Sequence, residues 1–146
     1  MPEILGAVFD RVTLRGKIDR LWIKPWVVEP TKQQEFDKAN AELYKQVDWA
    51  VDISQLDCKE IDIRAVPAKL IRRDPETQAI VTFEKVLEGK WQGLPFQFGA
   101  FEIQLELAAK YKFPGVVLIA PKRELKAKKC LADIEMLRRE GIAELD

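Results

Sequence analysis

The run Gly115 to Ala120, GVVLIA, constrains the fold more than any other stretch of the chain. Six consecutive residues without a polar side chain leave no face for water. The segment is therefore expected as a strand covered on both sides. Pro121 ends it. Helical patterns flank it. Over Gly99 to Lys112, Glu102, Glu106 and Lys110 form a polar stripe at i, i+4, i+8, and Ala100, Phe101, Leu105, Leu107, Ala108 and Tyr111 make a broad apolar face. Over Arg123 to Arg139, Ala127, Cys130, Leu131, Ile134 and Leu137 share one side, and Gly141 is a stop. This α-β-α unit is expected as a right-handed crossover, with a short strand over Ile142 to Leu145.

Ahead of it the pattern changes period. Residues 4–28 alternate in a way that reads as a hairpin turning at Arg15–Lys17, with Pro25 weakening the second strand. Thr31 to Val47 reads as a helix capped by Thr31 and Gln34, burying Phe36, Leu43, Tyr44 and Val47. Strands are expected over 49–54, 60–66, 68–72 and 79–87, separated by turn chemistry at Asp74-Pro75-Glu76-Thr77. The fold class that follows is α/β (α+β), in order β-β-α-β-β-β-α-β-α, with a mixed, mostly antiparallel sheet flanked by helices. No repeat or Gly/Ser linker divides the 146 residues. One domain is expected, with 1–30 as an N-terminal hairpin extension and 31–146 as the core.

Composition narrows the chemistry. The chain has no histidine, which excludes Ser-His-Asp and Cys-His nucleophile systems and His-ligated zinc. Its two cysteines, Cys58 and Cys130, lie far apart and form no CxxC pair, so a reduced, cytoplasmic setting is the simplest expectation. No run has the length of a membrane helix or the pattern of a secretory signal. Neither GxxxxGK[ST] nor GxGxxG occurs, so no nucleotide cofactor is expected. The 24 basic and 24 acidic residues balance, which leaves room only for a local basic patch.

Three groups of residues carry possible function. The first holds Glu88-Gly89-Lys90, an acidic-x-Lys triplet, with Asp62 or Asp74 upstream, Glu35 or Glu42 on the first helix, and Gln104 on a later one. In element order, residues 31–120 resemble the restriction-endonuclease-like PD-(D/E)xK nucleases. The resemblance implies that Asp62 and Glu88 hold Mg²⁺, that Lys90 serves the attacking water or the phosphate, and that Gln104 orients the site. Glu88 and Lys90 also read as a solvated turn, and Gln104 as a polar group bonded to a nearby carbonyl. The second group is the basic run Lys122, Arg123, Lys126, Lys128 and Lys129, which with the segment RGKIDRLWIKPW points to nucleic acid or to a solvated helix face. The third is aromatic: Trp22, Trp26, Trp91 and Phe96 form an interface patch if exposed, for a protein partner or a second copy of the chain. Nucleic-acid processing or binding, with a metal-dependent nuclease as its sharpest form, stands against a non-catalytic adaptor or assembly role.

Overall fold

The computed structural model describes residues 2–122 and 124–145. Six strands and four helices follow in order: β1 (Glu3–Leu5), β2 (Val12–Lys24), α1 (Gln33–Tyr44), β3 (Val51–Ile63), β4 (Ile71–Arg72), β5 (Gln78–Thr82), α2 (Phe83–Glu88), α3 (Gly99–Tyr111), β6 (Gly115–Ile119) and α4 (Ala127–Arg139). The α/β class holds. The strands form two sheets, one in the order β1-β2-β3-β4 and one pairing β5 with β6.

The expected N-terminal hairpin does not form. β2 continues unbroken through Arg15–Lys17, with Gly16 at φ +105°, a conformation that a side chain rarely adopts. Its partner is β3, in parallel register from Val12 opposite Val51 to Ile23 opposite Ile63. The strands expected at 49–54 and 60–66 are likewise one strand. The mostly antiparallel sheet is also corrected: the pairings of β1–β2, β2–β3 and β3–β4 are parallel, and that of β5–β6 is antiparallel. β6 therefore takes no part in a parallel crossover.

The long strands are sharply bent. Leu5 pairs beside Lys24, yet β2 begins at Val12, seven residues further along the chain. Seven residues reach at most ~25 Å, whereas twelve steps of straight strand cover ~40 Å. The same limit applies between Ile63 and Ile71, because Ile71 pairs with Val51 at the opposite end of β3. The register shifts between Thr13/Arg15, where β3 carries one extra residue, and the Asp52 carboxylate accepts the Ser54 N–H at 2.9 Å there. Gln78, fully buried, donates to Ile53 O (2.8 Å) and Leu56 O (3.4 Å) on this bent stretch while its own carbonyl takes Asp74 N–H. A polar side chain in the core thus satisfies backbone groups that the bend frees.

The β5–β6 ribbon separates two cores. Ile80, Val117 and Ile119 face the curved sheet, among Ile23, Ile53, Ile61 and Leu70. Ala79, Val81, Val116 and Leu118 face the helices, among Trp91, Phe101, Leu105, Ile134 and Leu137. The expectation for GVVLIA, a strand covered on both sides, is met. Each such Val, Leu or Ile contributes about 1.5–3 kcal/mol by leaving water.

Other boundaries differ. Residues 83–87, expected as strand, are helical, within α2: Thr82 Oγ1 accepts Lys85 N–H at 3.4 Å and Gly89 ends the turn at φ +70°. α1 buries only Asn40 and Tyr44, and its start is held by Gln33, which bridges Val27 N–H and Pro25 O, not by Thr31. α4 begins at Ala127, four residues later than the pattern predicts. The segment 142–145 is no strand, although Glu144 N–H donates to Ile80 O at 2.9 Å. No helix among the described residues is long and apolar enough to cross a membrane.

Candidate functional site: a cleft between a strand edge and a helix

A cleft of about 410 Å³ lies between the second half of β3, helix α3 and β6. β3 contributes Lys59 to Ile63 in sequence and Arg64 follows it, α3 contributes Ala100, Ile103, Gln104 and Leu107, and Phe98 and Phe113 flank that helix. Its size suits a small ligand or a short chain segment.

The helix side has an unusual distribution of apolar residues. Phe101, Leu105 and Ala108 are buried in the helical core, while Ile103, Leu107 and Tyr111 are 56%, 38% and 57% exposed. The exposed three recur at i, i+4, i+8 and form a second stripe. The apolar face that the sequence shows as broad is in fact two faces. Gln104 sits between them and donates from Nε2 to Ile61 O at 3.3 Å, tying α3 to the outer edge of β3.

Charges mark the two ends. At one end Arg64 holds Asp62 through both carboxylate oxygens, at 2.9 and 2.7 Å, and lies 4.0 Å over the Phe113 ring. At the other end Lys59 reaches Asp19 (3.0 Å) and Glu124 (3.2 Å), and Lys126 lies 3.8 Å from the same Glu124. Hydrogen bonding to Asp19 first, then to Glu124, pushes the Lys59 ammonium above its ordinary range. Lys126 also stands 5.3 Å over the Phe98 ring, so a cation covers an aromatic face at each end.

The residues singled out from sequence are distributed unevenly. Asp62, Gln104, Trp22 and Lys126 line the cleft. Glu88 and Lys90 do not; they sit at the end of α2, 3.4 Å apart, with Lys85 3.5 Å from the same carboxylate. The bond from Lys90, helped by the charge of Lys85, holds the Glu88 carboxyl below its usual range. Asp62 is clasped by Arg64 in the cleft, and Glu88 lies outside its lining. Among the described residues no three Cys, Asp or Glu side chains are grouped to hold a metal ion. Lys122 N–H donates to Asp57 at 3.1 Å, Lys128 and Lys129 are exposed at the start of α4, and Arg123 lies outside the described residues.

The aromatic residues also divide. Trp91 is buried in the helical core and donates to Val86 O at 2.9 Å, and Phe96 packs against that core, so neither offers an exposed patch. Trp22 and Trp26 clasp the buried Lys24, whose Nζ stands 3.9 and 4.6 Å from their rings and 3.0 Å from Glu3. That arrangement fastens β1 to the end of β2.

Sequence reasoning missed Lys59, Arg64, Ile103, Leu107 and Phe113 as residues of a site. The signal for the helix residues was the width of the apolar arc, too wide for one buried stripe. Compared with protein-family models, with curated proteins and with solved structures, the chain gives no match.

Proposed function

We propose that the chain is a non-catalytic interaction module that captures part of another protein in the β3–α3 cleft. One observation carries this reading. The exposed Ile103 and Leu107 line one wall of a cleft whose opposite wall is the end of β3, and Tyr111 continues their stripe beyond the cleft. Large apolar side chains aligned on one face mark an interaction surface more often than a solvated one. The acidic and basic groups of the cleft are engaged with one another, as Asp62 is with Arg64, which is the arrangement of a rim and not of a reaction centre.

A second reading, nucleic-acid binding, draws on Lys126, which both lines the cleft and opens the basic start of α4. Bases would stack on Phe98 and Phe113 and phosphates would meet Lys126, Lys128 and Lys129. Its nuclease form would require Asp62 and Glu88 to share Mg²⁺ and would appear as Mg²⁺-dependent cleavage lost in Glu88→Ala.

The experiment is selection of phage-displayed random heptapeptides on the intact chain and on Ile103→Asp, an exposed substitution that leaves both cores untouched. Enrichment on the wild type alone supports the module reading. Equal enrichment on both proteins, or none alongside saturable binding of a (dT)12 oligonucleotide, overturns it.

A further inference from the structure

We infer that the partner on the α3 wall is a second copy of this chain, whose own α3 lies antiparallel along the stripe of Ile103, Leu107 and Tyr111. This rests on the interaction-module reading and deepens it by naming the partner.

The stripe is open where the strand beside it is not. Ile61 and Ile63 are buried and Gln104 fills the gap to β3, whereas Ile103, Leu107 and Tyr111 stay exposed. The three share one face of α3 over eight residues, about 12 Å of its length. An apolar stripe of that spacing suits the packing of a second helix.

Charge selects which helix. Glu102, Glu106 and Lys110 follow one another at the same four-residue interval, on the flank of the stripe opposite Gln104. None of them lines the cleft, and none makes an ion pair among the described residues. Lys110 Nζ rests 5.1 Å over the Tyr111 ring, at the margin of the stripe. The flank is therefore acidic toward the start of α3 and basic toward its end.

Such a flank complements itself when reversed. A two-fold axis passing between the two Leu107 side chains keeps the charged flanks of both copies on one side and inverts their order. Ile103 then meets Tyr111 of the other copy. Lys110 stands level with position 104 of the other copy, two residues, or about 3 Å along the axis, from both Glu102 and Glu106. Each Lys110 falls between two carboxylates, and symmetry makes the contact twice. Parallel pairing would set Glu beside Glu and Lys beside Lys. The antiparallel sense also brings the positive end of each helix dipole beside the negative end of the other. A joint along one helix of 13 residues is smaller than the ~1,600 Å² of a standard interface, so the dimer should dissociate on dilution.

The test is sedimentation equilibrium of the intact chain over a concentration series, with circular dichroism as the check on folding. The wild type should pass reversibly from one chain to two. Ile103→Asp should weaken association about tenfold or more, because it places an unpaired carboxylate in the joint of each copy. Lys110→Glu gives a wholly acidic flank, and Glu102→Lys with Glu106→Lys gives a wholly basic one; each should weaken self-association about threefold to tenfold. Mixed in equal amounts, these last two proteins should form a heterodimer at least as tight as the wild-type dimer. A mixture that associates no better than its components overturns the antiparallel pairing, and a dimer that persists in Ile103→Asp places the joint elsewhere and overturns it too. A wild type that stays monomeric while its peptide enrichment depends on Ile103 overturns the second copy and keeps the cleft reading. Enrichment indifferent to Ile103→Asp removes the cleft reading itself.

Discussion

Gln104 Nε2 donates to the carbonyl oxygen of Ile61 across 3.3 Å, joining the middle of α3 to the outer edge of β3. The bond holds helix and strand at a fixed separation and occupies one lone pair of an edge carbonyl. Gln104→Leu should lower stability by about 0.5–1.5 kcal/mol, the usual net worth of one such bond. Urea unfolding reads the effect; an unchanged midpoint would show that water replaces the side chain.

Gln78 is a heavier structural element than its type suggests. It satisfies Ile53 O, Leu56 O and Asp74 N–H from a site with no exposure. Gln78→Leu preserves volume but strands buried backbone groups, at about 1–3 kcal/mol for each left unsatisfied. We expect a loss of about 2–4 kcal/mol in urea unfolding, and a loss below 0.5 kcal/mol would show that water replaces the side chain.

Asp133, buried in α4, accepts Gln97 N–H (2.8 Å) and Phe98 N–H (2.7 Å) through its two oxygens. It therefore places Phe98 at the mouth of the cleft. Asp133→Ala is expected to destabilise by about 2–4 kcal/mol, as charge-assisted bonds do. Peptide binding should weaken even at temperatures where the fold persists; unchanged binding would mean that Phe98 needs no such support.

Gly16 and Gly99 make a controlled pair, since a Cβ added at either meets nothing within 4 Å. Gly16 stands at φ +105° and Gly99 does not have a positive φ. Gly16→Ala should cost about 1–3 kcal/mol in backbone strain, whereas Gly99→Ala at the start of α3 should be neutral or stabilising. Equal melting temperatures for the two variants would contradict the bend assigned to β2.

Burial pushes the Cys130 thiol up to about 11, and the Cys58 thiol rises for the same reason. An unfolded cysteine ionises near ~8.5. Between these values the unfolded chain loses its proton first, so the thiol contribution is complete below pH ~8.5 and is lost as pH climbs toward about 11. Stability should fall across that interval, less steeply in Cys130→Ala than in the wild type. Identical slopes would show that Cys130 ionises equally in both states.

Much of the helical half was legible in the sequence. GVVLIA is uniformly apolar, and both its faces are covered; α3 and α4 follow from their spacing. The curved sheet was not legible. The buried positions of β3 run Val51, Ile53, then Leu56, Cys58, then Ile61, Ile63, changing parity twice. Alternation that slips at the bulge and again between Cys58 and Ile61 reads as two strands with a break, although the chain never leaves the sheet. In β2 the glycine that resembles a turn residue instead bends a continuous strand. As for the site, Asp62, Gln104, Trp22 and Lys126 converge, while the Glu88–Lys90 spacing reflects a helix end. Spacing along the chain could not show that Asp62 is held by Arg64, nor that α3 and the end of β3 wall a common cleft.

Backbone amide shifts recorded while a selected peptide is titrated in address the cleft itself. The account predicts that the amides of Ile103, Gln104 and Leu107 move on binding and that Ile103→Asp abolishes the response. Shifts confined to residues outside the cleft, or an unaltered titration of Ile103→Asp, would contradict it.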